Sequence, residues 1–220
     1  MSDKKFFTKK KIIVLIGIVC LLIAGIIIWF VKRNPTEPAA IPPVEEGIVE
    51  ELPPTLTVET PQKISLSEEK DFFVKVSVNK LGNADYPAAS ASISFDASRL
   101  EFLGIKEGNT FVKKDVADSN IKQQLPTWSY NSEQCNKTGI INIMYLDTTG
   151  GKNAFCQELL AKEDNVLFRL MFRLRGSART GDIYDLIVED AVFAASDETL
   201  SLSVLQDTLQ IKDGKIVVGD

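Results

Sequence analysis

The chain has 220 residues, 45% of them hydrophobic and 25% charged, with a formal net charge of −5 and no histidine. This composition suits one ordinary globular domain with accessory segments and excludes a chain that is disordered throughout. The lack of histidine removes Ser-His-Asp and Cys-His catalysis and the usual zinc sites.

Residues 1–11 are basic, with Lys4, Lys5, Lys9, Lys10 and Lys11. The run from Ile12 to Val31 then carries no charge and no proline. At about 1.5 Å of rise per residue it spans roughly the 30 Å hydrocarbon core of a bilayer. It is apolar on every side, whereas a core helix keeps a polar stripe. It is also longer than the apolar stretch of a cleaved signal peptide. Trp29, Lys32 and Arg33 close it with an interfacial aromatic and a basic flank. The expectation is one transmembrane α-helix over residues 12–33, embedded in a lipid bilayer. The excess of lysine before it places the N-terminus in the cytoplasm and the C-terminal bulk outside, as in a single-pass protein of the cell membrane.

Charge is divided unevenly between these parts. Seven of the 25 Lys and Arg, but one of the 30 Asp and Glu, lie in the first 33 residues, leaving 18 basic and 29 acidic residues beyond them. An exported part at −11 argues against nucleic acid and other polyanions as ligands, which reward clustered cations. Residues 34–54 (NPTEPAAIPPVEEGIVEELPP) are rich in Pro and Glu. Proline keeps such a segment extended and acidic repulsion stiffens it, so it reads as a spacer between membrane and domain.

From Thr55 onward the dominant period is two. Phe72, Val74, Val76 and Val78 alternate with Phe73, Lys75, Ser77 and Asn79. Ala89, Ala91, Ile93 and Phe95 alternate with Ala88, Ser90, Ser92 and Ser94. In VLFRLMFRLR, Val166, Phe168, Leu170, Phe172 and Leu174 share one face, opposite Leu167, Arg169, Met171, Arg173 and Arg175. Further strands are expected at Leu56 to Glu59, Leu100 to Ile105, Ile140 to Leu146, Ile183 to Phe193, Leu200 to Ile211 in pieces, and Ile216 to Val218. Turn residues separate them at Asn83-Ala84-Asp85, Gly150-Gly151, Gly181-Asp182 and Asp213-Gly214. Only Asn153 to Glu163 suggests a helix within this part. About nine strands with one polar face each predict an all-β domain over residues 55–220, an antiparallel β-sandwich or jelly roll.

Little in the sequence points to catalysis, and an enzyme is not expected. Gly150-Gly151-Lys152 is a turn and not a phosphate cradle. The pairs Glu68-Glu69 and Glu163-Asp164 are adjacent residues whose side chains point apart, so they do not form a glycosidase pair. Asp147 and Asp213 stand beside or near glycines in a way that ordinary turns explain without a metal, and no cofactor is expected. Cys20 lies in the apolar run and counts as a small apolar residue. Cys135 and Cys156 flank the strand Ile140 to Leu146 in a compartment that permits oxidation, so a disulfide between them is open.

Several strings, in order, resemble the cohesin family. AASASISFDASRLEFLGIKEGNTF has its strand ending in Phe95-Asp96, a turn, and a Leu-Glu strand leading to a glycine. TGIINIMYLDTT, NVLFRLMFRLRGSARTGD, FAASDETLSL and the closing DGKIVVGD continue the match, from Leu56 to Asp220. The resemblance implies a nine-stranded jelly roll similar to carbohydrate-binding modules, acting as a receptor for dockerin domains, which fold around calcium. Such receptors gather polysaccharide-degrading enzymes, and anchored forms fix them at the cell surface.

The family docks its partner on a flat sheet face. Here the outward set Ala88, Ser90, Ser92 and Ser94 is small and uncharged, which permits close approach. The neighbouring strand implied by the family, Ile140 to Leu146, would add Asn142 and Met144. A second reading, a carbohydrate-binding or adhesive module for polysaccharide on the same fold, would use Trp128 and Tyr130, with Tyr86 and Tyr145, as stacking platforms. A structural role in a surface assembly is a third.

Overall fold

The computed structural model describes residues 52–66, 71–113 and 123–219; the expected basic segment 1–11, the transmembrane helix 12–33 and nearly all of the spacer 34–54 lie outside the described residues. Among the described residues no helix is long and apolar enough to cross a membrane. Residues Glu51–Asp220 form one compact unit.

In chain order its elements are β1 (Thr55–Glu59), β2 (Ile64–Ser65), β3 (Phe72–Val78), β4 (Ala88–Ser94), β5 (Leu100–Glu107), β6 (Val112–Lys113), β7 (Gln123–Gln124) and β8 (Ser129–Tyr130). Helix α1 (Ser132–Thr138) follows, then β9 (Ile140–Leu146), β10 (Val166–Leu174), β11 (Ile183–Ala194), β12 (Leu202–Ser203), β13 (Gln210–Lys212) and β14 (Gly214–Gly219). One sheet runs β13-β1-β3-β10-β5. A second runs β2-β14-β11-β4-β9-β8, with β12 also paired to β11, and β6 and β7 form a separate ribbon.

Every expected strand is present; β9 begins and ends as expected, and β3 begins with the period-two pattern at Phe72 and ends at Val78, one residue short of it. The extra strands are two-residue pairings, too short to leave a period in the sequence. Not every pairing is antiparallel: β1 with β13 and β14 with β2 run parallel. The pattern on β10 holds with one exception. Val166, Phe168, Leu170 and Phe172 are buried as expected, but Leu167 is buried too, because a bulge between Val166 and Phe168 breaks the alternation.

The expected helix over Asn153 to Glu163 is not formed. Phe155 instead bridges to Tyr86, with backbone hydrogen bonds in both directions, and only Gln157–Leu159 makes a 3-10 turn. Among the described residues the α-helix present is α1, which is seven residues long. Asn131 caps it by accepting from the Gln134 N–H, and Gly139 ends it with φ of 72°, where a Cβ would be disfavoured.

The core lies between the two long sheets. Phe172 is fully buried and its ring sits 6.0 Å from Phe72, 5.5 Å from Phe95 and 5.7 Å from Phe102. A second aromatic group joins Tyr86, Phe193, Phe155, Tyr145, Trp128 and Phe168. The first group draws on β3, β5 and β10 of one sheet and on Phe95 just after β4 of the other, so truncating its centre opens a cavity that no single strand can close. Phe172→Ala is expected to lower the unfolding free energy by about 3–5 kcal/mol in a urea titration followed by tryptophan fluorescence.

Candidate functional site

Strand β4 sits between β11 and β9 in the second sheet, antiparallel to both. Its inward residues Ala89, Ala91 and Ile93 are buried, while Ala88, Ser90, Ser92 and Ser94 are half-buried on the outward side. The pairing registers set the outward residues in four rows across three strands. These are Leu146–Ala88–Ala194, Met144–Ser90–Val192, Asn142–Ser92–Asp190 and Ile140–Ser94–Ile187. All six residues expected on the plate are therefore brought together, with Asn142 and Met144 in register beside Ser92 and Ser90.

Beyond Met144, which is 48% exposed, sequence reasoning did not identify the apolar part of this face. Ile140, Leu146 and Ile187 are exposed by 37%, 56% and 43%, and Ile183 continues the same side of β11 at 59%. These five make up half of the exposed large apolar side chains found among the described residues. The small β4 side chains lie between longer ones on either side. Together with Ser129 and Tyr130, residues Ser90, Ser92, Asn142 and Met144 line a shallow depression of about 480 Å³. No described strand or helix covers it: β8 extends the sheet at its edge by pairing with β9, and α1 packs at β5 and the start of β9.

One row of the plate is polar and lies between apolar ones. The Ser92 hydroxyl donates to Asn142 Oδ1 at 2.7 Å. Asp190 reaches the face only because β11 bulges between Val188 and Asp190, leaving Glu189 without a partner on β4. Asp213 holds the bulge in place, accepting the Val188 N–H at 2.8 Å. Asp213 therefore has a structural partner. So does Asp147, which accepts from the Thr149 hydroxyl and amide and from the Gly151 amide. Burial raises the pKa of Asp147, but the hydrogen bonds from Thr149, Asn153 and Gly151 outweigh it and bring it to about 2. Asp147 thus serves its own turn, as the sequence suggested, whereas Asp213, in the turn before β14, reaches across to the bulge of β11.

The aromatics do not form a platform. Ser129 pairs with outward Met144 and Tyr130 with buried Ile143, so Tyr130 turns toward the other sheet. Its ring packs edge-on to Phe102 at 5.8 Å, and its hydroxyl lies where a Cβ on Gly104 (φ of 143°) would stand. Tyr130 is 42% exposed but caps the edge of the sandwich. Trp128, two residues earlier and half-buried, packs against Phe168 at 4.8 Å; Tyr86 and Tyr145 are buried. Sugar stacking needs exposed and roughly coplanar rings, and these four do not provide them.

Nor do Cys135 and Cys156 form a disulfide. Both are buried free thiols. Cys135 lies in α1, just before β9, and Cys156 lies beyond the far end of β9, whose seven residues extend roughly 20 Å at about 3.3 Å each. A disulfide needs Cα atoms within about 7 Å. Burial pushes the Cys156 thiol pKa up, which keeps it protonated and unreactive. Alkylation of the unreduced protein in denaturant, read by peptide mass, is expected to label both Cys135 and Cys156. Neither should react at comparable speed in the folded state.

Residues 56–217 match the family model described as Cohesin domain. No curated protein sequence matches the chain. Among solved structures, the chain resembles the sixth cohesin of scaffoldin B from Acetivibrio cellulolyticus, determined in complex with a mutant Cel5 dockerin. The TM-score is 0.53 at 17% identity, covering 76% of this chain and 99% of that one. It also resembles the OlpA cohesin–Doc918 complex from Clostridium thermocellum, at a TM-score of 0.51 and 17% identity, over 76% of this chain and 99% of that one. The OlpC cohesin–Doc435 complex from the same organism gives 0.53 at 14% identity, over 77% and 95%. At these identities the likeness is one of fold.

Proposed function

Because the chain belongs to the cohesin domain family, we propose that it is a non-catalytic docking receptor that binds dockerin-bearing proteins, such as polysaccharide-degrading enzymes, through the outward face of β11, β4 and β9. The observation that carries this reading is the plate, which no described strand or helix covers. A row of small residues, Ala88, Ser90, Ser92 and Ser94, is flanked by exposed Ile140, Met144, Leu146 and Ile187 on a regular sheet. Exposed apolar side chains gathered on one flat face mark an interaction surface, whereas scattered ones need no explanation. Small side chains along the middle let a partner's backbone approach, and the apolar flanks supply area to bury. The similar cohesins of A. cellulolyticus and C. thermocellum were solved with dockerins bound. A polysaccharide ligand has no comparable support, since its expected platform residues are turned into the sandwich or its edge.

We further propose display outside the cytoplasm, on a membrane-spanning segment at residues 12–33 followed by the 34–54 spacer. The support is the unbroken apolar run, its lysine-rich N-terminal flank and the acidic sequence beyond it.

Two measurements test these readings. The full-length chain in detergent, immobilised and probed with calcium-loaded dockerin modules produced singly from the same organism, is expected to retain at least one of them. Met144→Glu should abolish that retention with an unchanged melting temperature, because its side chain is exposed in the free protein. Retention of no dockerin, or retention that is indifferent to Met144→Glu, would remove the proposal. For the topology, protease added to intact cells should destroy a C-terminal epitope and spare an N-terminal one, and protection of the C-terminal epitope would reverse the orientation.

A further inference from the structure

The outward face of β9, β4 and β11 has a fourth column. On the edge of β11 away from β4, Val192 pairs with Ser203 and Phe193 with Leu202. The Val204 N–H donates to the Ala191 carbonyl at 3.1 Å and carries the pairing one residue further. Leu202 and Val204 pack toward the core, so Ser203 between them faces outward, in line with Met144, Ser90 and Val192. Beyond it the chain turns back toward β13. The Asp207 amide donates to the Val204 carbonyl, and the Thr208 and Leu209 amides both donate to the Ser203 carbonyl. The Thr208 hydroxyl accepts from the Ser203 amide at 2.8 Å, and Leu209 is buried in the core.

The head of this turn lies on the outward side of the sheet. The Leu205 amide donates to the Ser203 hydroxyl at 3.1 Å, and Ser203 is buried although it faces outward, because the turn folds over it. Leu205 is 84% exposed, the most exposed large apolar side chain found among the described residues. A lone exposed leucine is ordinary on a protein surface. Leu205 differs in two respects. A flexible loop could fold an apolar side chain away from water, but this turn is pinned at Ser203, Thr208 and Leu209 and holds Leu205 out. The side chain also continues the plate, with Ile140, Met144 and Leu146 on the β9 side, the small residues of β4 between, and Leu205 at the opposite margin.

We infer that the β12–β13 turn is the second wall of the docking plate and that a bound dockerin buries Leu205 in an apolar contact. This assignment rests on the docking reading above and adds a contact outside its three strands. Continuity with the plate names the occupant. From β9 to β12 is three strand spacings, about 14 Å, whereas a standard interface of about 800 Å² per partner is roughly 28 Å across. A partner seated on Met144 and the small residues of β4 therefore reaches the turn. Because the turn is already ordered, the partner gains the apolar burial of Leu205 without having to fix a loop.

The test uses the full-length chain in detergent and each dockerin module retained above, by calorimetric titration. Leu205→Ala is expected to weaken binding about tenfold and Leu205→Asp about 100-fold, as for an apolar contact residue of an interface. The melting temperature of the free chain should not change, since the side chain stands in water. Leu200→Asp is the matched control. Leu200 is 52% exposed in the same stretch of chain but lines the cavity beside Asp85 and Lys113 at the end of the sandwich, and its loss should leave affinity unchanged. If Met144→Glu abolishes binding while Leu205→Asp stays within about twofold of the natural chain, the plate docks without the turn and the inference is overturned. Equal losses for Leu200→Asp and Leu205→Asp, or a lower melting temperature for Leu205→Asp, would overturn it as well. So would a Leu205→Asp chain that loses self-association in sedimentation but keeps its dockerin affinity, which would make a second copy the occupant. If neither Met144→Glu nor Leu205→Asp affects binding, the docking reading falls and takes this inference with it.

Discussion

Strand β4 has the sequence AASASIS, in which Ile93 is the one large side chain and every other residue is small. Such a strand specifies its own register through Ile93 alone, because elsewhere a slip of one residue would only exchange alanines for serines. The register is imposed by its two neighbours. On β9, Ile141, Ile143 and Tyr145 must enter the core, and on β11, Leu186, Val188, Ala191 and Phe193 must do the same. With both flanking strands locked by large inward side chains, β4 has one place to sit. Its serines then face outward between longer side chains, and the core and the docking plate are two faces of the same constraint.

The bulge in β11 follows from the same geometry. This strand has twelve residues and serves two partners in succession, β14 along its first part and β4 along its second. Inserting one residue at Glu189 changes the phase between those parts, so that Tyr184, Leu186 and Val188 enter the core before it and Ala191 and Phe193 after it. The cost of the freed Val188 amide is met by Asp213 from the turn before β14. The bulge thus ties the chemistry of the plate to a contact behind the sheet's rows.

Much of the architecture was legible because half-buried strands leave a period of two. The start of β3, both ends of β9 and the outward set on β4 could be read directly. What escaped did so for identifiable reasons. Helix α1 is seven residues long and buries only Cys135, so it has no apolar stripe; its readable signals were the Asn131 cap and Gly139. The stretch after Asn153 has no strong breaker, but Phe155 gains more by pairing with Tyr86 inside the core than a short helix could offer. The contribution of Asp190 and Val192 to the plate depends on a phase change that alternation counted from Ile183 would place on the wrong face. The four aromatics looked like candidates for stacking because sequence shows that a ring exists, not which side of the sheet it occupies.

Strand β1 has a further consequence. It lies between β3, antiparallel on one side, and β13, parallel on the other, and the Gln210 amide also bonds to the Pro54 carbonyl just before it. A pull on the chain from the N-terminal side acts along the axis of β1, so its hydrogen bonds to both neighbours share the load and must break together. A strand pulled from its end between two held neighbours is sheared, whereas a hairpin pulled open at its mouth unzips one bond at a time. The entry point of this domain is therefore its mechanical clamp, strongest in the direction in which a tether before residue 55 would pull.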